Sequence, residues 1–199
     1  MLEVGNLANA TESRSHFAMW AVMSSPLILS FDLADRAKMD QAWPIITNRR
    51  VLEVNQRWAG HPGRRLAAAD APSPAPNPPP GTPVAAVGTV VGTEWQIWAK
   101  PLGKQSHAVL LVSTGSTSQT VLSIPFANIS AADFATAQAA CVFDLYDGYF
   151  WQADPQAAAL TTEALGAHDS AFLCVTVGDF SGECGDGCAS PSCRRGCPR

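Results

Sequence analysis

Two carboxylates, Glu3 and Asp32, are the side chains of this sequence best placed for acid–base chemistry. Each belongs to or follows a short apolar segment, and we expect both to lie toward the carboxyl ends of neighbouring parallel strands. Enzymes that cleave glycosidic bonds use two carboxyl groups, about 5–5.5 Å apart when configuration is retained. Two features oppose this role: Glu3 lies within its strand rather than in a loop, and Asp32 could simply cap the next helix.

No other motif predicts a catalytic or metal site. The sequence contains no G-x-S-x-G motif, no phosphate-binding glycine loop and no H-E-x-x-H motif, so we expect no metal ion and no cofactor. The tryptophans Trp95, Trp98 and Trp151 could stack on sugars, although at strand spacing such residues more often belong to a core. The four histidines lie in unrelated settings, and His16 is predicted to be a partly buried structural residue.

The cysteines fall into two groups. Cys141 and Cys174 lie in apolar surroundings, whereas the other four crowd residues 179–199, a Cys-rich tail. Disulfide bonds in an extracellular tail are one interpretation, and a four-thiolate zinc site is the other. The C-x3-C and C-x4-C spacings are looser than the usual C-x2-C knuckle, which favours disulfides. Two glycosylation sequons, at Asn9 and Asn128, also agree with an exported chain.

Composition excludes several classes of partner. The 199 residues carry a formal net charge of −4 and no Lys/Arg run, so we expect no nucleic-acid partner. No apolar run approaches the roughly 20 residues that span a bilayer, so we expect no membrane partner. We also expect no signal peptide in these residues, since Glu3 and Asn6 stand where its basic and apolar segments should be. For a chain that otherwise has secreted character, we expect the true N-terminus to lie upstream.

Residues 1–66 alternate strand-like and helix-like patterns. Thr11 is the expected N-cap of an apolar helix, and residues 26–30 are predicted to form a short, fully buried strand. A second helix is expected from Asp35, broken near Pro44, and Asn48 should cap a last turn. A closed barrel needs eight such units, about 250 residues in all. We therefore predict two βα units that are not stable alone.

The remaining chain divides into three parts. Residues 67–83 are rich in proline and predict an extended linker. Residues 84–178 show short strand patterns separated by turn signals, which are typical of an antiparallel β-sandwich domain. The strongest hairpin signal is Asp147-Gly148 between two aromatic-rich runs. The Cys-rich tail follows.

Several segments of the sequence resemble the α-galactosidase (melibiase) family of retaining glycosidases, glycoside hydrolase family 27. The matching segments are residues 1–6 (MLEVGN), 16–33 (HFAMWAVMSSPLILSFDL), 45–48 (IITN), 51–56 (VLEVNQ), 95–102 (WQIWAKPL), 144–146 (DLY) and 167–170 (AHDS). The last two are similar to plant-type members. The resemblance covers most of residues 1–178 and leaves the Cys-rich tail outside. It implies an α/β plus all-β fold: the last two βα units of a TIM (β/α)8 barrel followed by an antiparallel β-sandwich.

The resemblance also implies an activity, the hydrolysis of terminal α-D-galactosyl residues. The family's nucleophile and acid/base are aspartates on earlier barrel strands, so no catalytic residue is expected in this chain. Met1 matches a position that lines the galactose pocket, and Glu3 and Asp32 are candidate pocket neighbours. We therefore expect an inactive fragment of a secreted, cell-wall or vacuolar/lysosomal enzyme, whose partner is a galactoside or galacto-oligosaccharide.

The sequence departs from the family pattern at two places, and two other functions are compatible with it. Phe31 stands where the family usually has a smaller residue, and Arg57-Trp58 replaces its usual Asp-Pro. One alternative is a non-catalytic carbohydrate-binding or accessory protein that contacts sugar through the sandwich tryptophans. The other is a structural extracellular module whose function lies in the Cys-rich tail.

Overall fold

A computed structural model describes residues 1–69, 94–116 and 120–178. Most of the predicted linker and the whole Cys-rich tail lie outside these residues. The main element is a six-stranded antiparallel sheet with the order β1-β2-β3-β8-β5-β6, and a two-stranded sheet pairs β4 with β7. The strands are β1 (Arg64–Ala69), β2 (Trp95–Gly103), β3 (Ser106–Ser113), β4 (Ser123–Pro125), β5 (Ala140–Asp144), β6 (Phe150–Ala153), β7 (Ala159–Thr161) and β8 (Ser170–Val177).

The six-stranded sheet is covered on both faces, and β3 shows this best because all eight of its residues are buried. Successive side chains of a strand point to opposite faces, so a central strand such as β3 contributes to two separate cores. Ala108 and Leu110 belong to the first core, which also contains the N-terminal helices. Val109 and Leu111 belong to the second core, which contains β4, β7 and the short helices. The predicted antiparallel sandwich is confirmed.

In the part of the chain that the structure describes, three helices precede the sheet and two short ones lie within the sandwich. They are α1 (Ala10–Val22), α2 (Arg36–Ile46), α3 (Arg49–Gln56), α4 (Phe126–Ile129) and α5 (Ala131–Phe134). The cap predicted at Asn48 is confirmed, since its Oδ1 accepts bonds from the Arg50 and Val51 amides. The cap predicted at Thr11 is wrong. Asn9 has the extended backbone of an N-cap and its Oδ1 accepts the Glu12 amide at 2.8 Å, so α1 begins two residues earlier.

The two predicted barrel strands form only a short parallel contact. Leu2 and Leu29 make a single parallel bridge, and the Leu2 amide donates to the Ile28 carbonyl at 2.7 Å. The expectation of a fully buried strand over residues 26–30 is wrong, because Ile28 is 57% exposed. Leu27 and Leu29, in contrast, are partly buried and pack against the first core. Likewise α2 is not broken at Pro44 but continues to Ile46.

The chain enters the sandwich earlier than its sequence pattern indicates. β1 pairs with β2 from Arg64 to Ala69, so the boundary predicted at residue 66 falls inside an edge strand. The hairpin predicted at Asp147-Gly148 joins β5 to β6, with Phe143 opposite Phe150. Gly148 has a φ of +80°, a backbone conformation that favours glycine. The first core packs α1 directly on the sandwich sheet, while α2 and α3 pack against α1.

Candidate functional site

Polar side chains meet where the two parallel segments end. The Asn6 Nδ2 donates to Glu3 Oε2 at 3.1 Å and to Ser30 Oγ at 3.0 Å. The Lys38 Nζ, which reaches across from α2, donates to Asn6 Oδ1 at 2.6 Å. We call Glu3, Asn6, Ser30 and Lys38 the strand-end network. Carboxyl ends of parallel strands are where barrel enzymes build their sites, and these groups can hydrogen-bond to hydroxyl-rich ligands.

The backbone beneath this network is held in two places. The Ser30 Oγ donates to the Leu2 carbonyl at 2.6 Å, which ties the second segment to the first. On the other side, the Glu3 amide donates to His16 Nε2 at 3.1 Å. Burial lowers the pKa of His16, although Glu3 opposes the shift, so the ring stays neutral and can accept that bond. His16 is therefore the partly buried structural residue that the sequence predicted.

Phe31 is buried beside the strand-end network. Its ring is 8% exposed and packs in the first core, where it lies against Gly5. Gly5 has a φ of +89°, and a Cβ there would come within 3.1 Å of the Phe31 ring. The large side chain that departs from the family pattern thus occupies space made by a glycine, which explains how Phe31 is accommodated.

The three residues proposed from the sequence all lie at this end of the molecule, but they do not share one network. Met1 is 63% exposed, and Glu3 and Asp32 are also exposed. The Asp32 Oδ1 accepts the Ala34 amide at 2.9 Å, so this carboxylate is directed to its own loop. Among the described residues, no hydrogen bond joins Asp32 to Glu3. Glu3 is hydrogen-bonded to Asn6 instead, and the sequence did not predict this partner.

A second polar cluster ties the helices to the sandwich sheet. Lys100 of β2 is fully buried, and its Nζ donates to the Val54 carbonyl and, at 3.2 Å, to the Asn55 carbonyl at the end of α3. The Asn55 side chain donates to the carbonyls of Trp20 (3.3 Å) and Ser25 (2.9 Å) at the end of α1. Carbonyls at helix ends lack partners within the helix, so Lys100 supplies donors to the end of α3, and Asn55 joins that end to α1 and the loop after it. We call this pair the Lys100–Asn55 clamp. Burial lowers the pKa of Lys100 to about 8.

The start of the sandwich hairpin makes another contact with α1. The Tyr146 hydroxyl donates to the Arg14 carbonyl at 2.7 Å, and the Arg14 guanidinium lies 4.5 Å from the centre of the Tyr146 ring. Arg14 also pairs with Asp147 at 3.0 Å, on the surface. Burial raises the pKa of Tyr146, so its hydroxyl stays protonated and able to donate. These bonds fix the orientation of α1 on the sheet.

The sandwich tryptophans do not form a single sugar-binding face. Trp95 is 6% exposed and packs in the second core, whereas Trp98 packs against the first core on the opposite face of β2. Trp151 lies on the edge strand β6 and is 40% exposed. Residues three apart in a strand point to opposite faces, so Trp95 and Trp98 cannot stack on the same ligand. The structure therefore does not favour the alternative of an accessory protein that binds sugar through these tryptophans.

The remaining ionisable groups have structural settings. His107 Nε2 and Ser130 Oγ both bond to Asp133 Oδ2 at 2.7 Å, so the serine is not hydrogen-bonded to the histidine as a nucleophile would be. The described residues contain no group of three His, Cys, Asp or Glu side chains able to hold a metal ion. A solvent-open cleft between α3 and the sheet has room for only about one water molecule, far below the roughly 300–1,000 Å³ usual for ligand pockets. No helix of the described part is long and apolar enough to cross a membrane.

Two family models match the chain. Residues 1–57 match the model described as alpha galactosidase A, and residues 92–175 match the alpha galactosidase C-terminal beta sandwich domain. The first contains the strand-end network and α1 to α3, and the second contains the strands β2 to β7 and most of β8.

Curated relatives agree with these matches. An alpha-galactosidase of Cyamopsis tetragonoloba is 31% identical over 122 residues, which are 61% of this chain and 24% of that protein. Alpha-galactosidase 2 of Arabidopsis thaliana is 29% identical over 122 residues, with the same shares covered. The chain therefore spans about a quarter of the length of the curated relatives it matches.

Solved structures of similar proteins share the fold. The alpha-galactosidase of Saccharomyces cerevisiae is superimposed with a TM-score of 0.68 at 20% identity, over 89% of this chain and 46% of that one. Alpha-galactosidase I of Mortierella vinacea gives 0.66 at 23% identity, over 88% of this chain and 38% of that one. These similarities confirm the predicted fold class, the end of a TIM barrel followed by an antiparallel sandwich.

Proposed function

Because this chain belongs to the α-galactosidase (melibiase) family and carries its C-terminal part, we propose that it acts in the hydrolysis of terminal α-D-galactosyl residues with retention of configuration. The observation that supports this most directly is the strand-end network, a set of exposed polar groups at the carboxyl ends of paired parallel segments. Its ligand would be a galactoside or galacto-oligosaccharide.

Within this proposal, the chain supplies part of the sugar pocket and its support. Met1 would line one wall of the pocket through its exposed side chain. Asn6 and Lys38 have the donors and acceptors that sugar hydroxyls require, and Glu3 and Asp32 would be pocket neighbours. The clamp of Lys100 and Asn55 would hold this end of the barrel rigidly on the sandwich, since sites with fixed side chains orient substrates best.

The proposal assigns no nucleophile and no acid/base to these 199 residues. The retaining reaction needs one carboxylate to attack the anomeric carbon and another to give and then take a proton. Asp32 accepts the Ala34 amide of its own loop and Glu3 accepts from the Asn6 side chain, so each carboxylate has a local structural partner. The carboxylates would come from barrel strands that precede the matched region in the relatives.

Two assays test this function. The purified chain should give no turnover of a chromogenic α-galactoside above background. The same residues 1–178, joined behind the preceding barrel portion of the Cyamopsis tetragonoloba enzyme, should hydrolyse it. A chimera that folds by circular dichroism but remains inactive would count against the galactosidase function. Turnover by the isolated chain that Glu3→Gln or Asp32→Asn abolishes would instead make these carboxylates catalytic.

A second experiment tests whether the strand-end network contacts the substrate. In the active chimera, Asn6→Ala and Lys38→Ala should raise KM for the galactoside, because they remove groups proposed to contact or position the sugar hydroxyls. The matched control is Lys104→Ala, an exposed lysine in the turn between β2 and β3. Equal kinetics for all three variants would exclude the strand-end network from substrate binding.

A further inference from the structure

The first sequon of the chain lies on an exposed corner of the structure. Asn9, Ala10 and Thr11 are all exposed, at the point where the loop after the first strand enters α1. Asn9 has φ −156° and ψ 172°, an extended conformation outside the helix proper. This corner belongs to neither of the two hydrophobic cores, so a bulky polar group attached here would extend into solvent.

The side chain of Asn9 uses only one of its two polar atoms. Its Oδ1 accepts the Glu12 amide and caps α1, while its Nδ2 makes no hydrogen bond within the described residues. N-linked glycosylation modifies the nitrogen and leaves the carbonyl oxygen as an acceptor. The cap can therefore persist after modification, and the helix loses nothing when the nitrogen is occupied.

The second sequon has a different environment. Asn128 is half-buried in the short helix α4, flanked in sequence by the buried side chain of Ile129. The Ser130 hydroxyl is engaged with Asp133 at 2.7 Å, and the same carboxylate binds His107. A glycan here would crowd the wall of the second core, whereas a glycan at Asn9 touches no packed element.

We propose that Asn9 is an attachment site for an N-linked glycan. The donor class is a lipid-pyrophosphate oligosaccharide, which the secretory pathway supplies together with its transferase. The Asn9 Nδ2 forms a bond to C1 of the first sugar, the C1–O bond to the pyrophosphate breaks, and the lipid pyrophosphate leaves with that electron pair. The amide gives up one proton to the transferase, and the Thr11 hydroxyl provides the third sequon position. This assignment is independent of the proposed α-galactosidase function.

The test uses the full 199-residue chain, secreted from yeast behind a cleavable signal peptide. Intact mass spectrometry before and after peptide-N-glycosidase treatment should show a glycan, and peptide mapping should place the deamidation mark at Asn9. Thr11→Ala should abolish this glycan while keeping the Asn9 cap, and Thr11→Ser should retain it. Asn128→Gln is the matched control and should leave the Asn9 glycan unchanged.

Two results would overturn the proposal. One is a secreted, folded wild-type chain whose Asn9 peptide carries no glycan. The other is a Thr11→Ala variant whose Asn9 peptide remains glycosylated. Because Thr11→Ala keeps the capping asparagine, a folding defect cannot imitate the expected loss. Neither result would bear on hydrolysis by the chimera, so this inference and the proposed function fail separately.

Discussion

The N-terminal helices present two contrasting sides. Toward the sandwich, α1 and α3 bury Phe17, Val22 and Val51 in a core shared with the sheet, and the Lys100–Asn55 clamp joins them to β2. On the strand-end side, Met1 and other large apolar residues are exposed, and the polar groups bond mainly to one another.

This difference shows which contacts stabilise the folded structure of residues 1–66. A single bridge between Leu2 and Leu29 is too little to hold parallel segments together, since strands normally depend on extended pairing. The sandwich sheet instead supplies the surface against which the helices pack. The prediction that this region is not stable alone therefore acquires a physical reason: its main partner is the domain that follows it.

Substitutions of apolar residues should show the largest difference in unfolding free energy between the two sides. Phe17 is 1% exposed in the shared core, and Phe17→Ala should lower the free energy of unfolding by about 3–5 kcal/mol through the cavity it leaves. Ile28→Ala removes an apolar side chain of the strand-end side and should change it by less than about 0.5 kcal/mol. Urea unfolding followed by tryptophan fluorescence measures both. Similar losses would mean that both sides are equally packed.

The buried charge of Lys100 predicts a pH dependence. Burial lowers its pKa from 10.5 to about 8, so the unfolded chain holds this proton more tightly than the folded one. The stability of the wild type should therefore rise relative to Lys100→Met as the pH increases from 8 to 10.5, by an amount of order 3 kcal/mol. Below pH 8 the penalty is complete and the difference should be constant.

Urea unfolding of both proteins between pH 7 and 10.5 measures this slope. Lys104→Met, which alters an exposed lysine of the same hairpin, is the control and should show no comparable change. A wild type that loses stability relative to Lys100→Met over this range would mean that the charged clamp stabilises the interface more than its burial costs.

Substitutions that remove hydrogen bonds should show a smaller difference in unfolding free energy between the two sides. Tyr146→Phe removes the bond to the Arg14 carbonyl at the helix–sheet contact and should cost about 1–2 kcal/mol, because a partly buried acceptor loses its donor. Asn6→Ala removes three bonds of the strand-end network, yet water can replace them at this exposed position. Its effect on unfolding should stay within about 0.5 kcal/mol. A larger loss for Asn6→Ala would show that the network is a structural element in its own right.

The sequence predicted the architecture well because its signals are local. Strand alternation, turn residues and the cap at Asn48 depend on neighbours within a few positions, and they correctly predicted the antiparallel sandwich, the hairpin at Asp147-Gly148 and the start of α3. The cap of α1 was misplaced because Asn9 and Thr11 both have capping side chains two positions apart, and only the backbone conformation distinguishes them.

The site was harder to predict because its contacts are distant in sequence. Lys38 reaches Asn6 across 32 positions, and on sequence alone a lysine in a helix is expected to be solvated. Lys100 is buried because α3 presents carbonyls from residues 45 and 46 positions away. The opposite orientations of Trp95 and Trp98, in contrast, follow from strand alternation and were within reach of the sequence.

His16 offers the smallest and most local test, because it lies where the two sides meet. Its neutral ring accepts the Glu3 amide, and burial lowers its pKa below the usual 6.5. The neutral ring therefore stabilises the fold above pH 6.5, and this contribution is lost as the pH falls below that value. His16→Gln keeps an acceptor that does not titrate, so the stability difference from the wild type should change between pH 7 and 5. NMR titration of the His16 ring should give a pKa below the usual 6.5. A pKa for His16 above 6.5 would mean that Glu3 holds a charged ring there, and that acid strengthens this junction rather than weakening it.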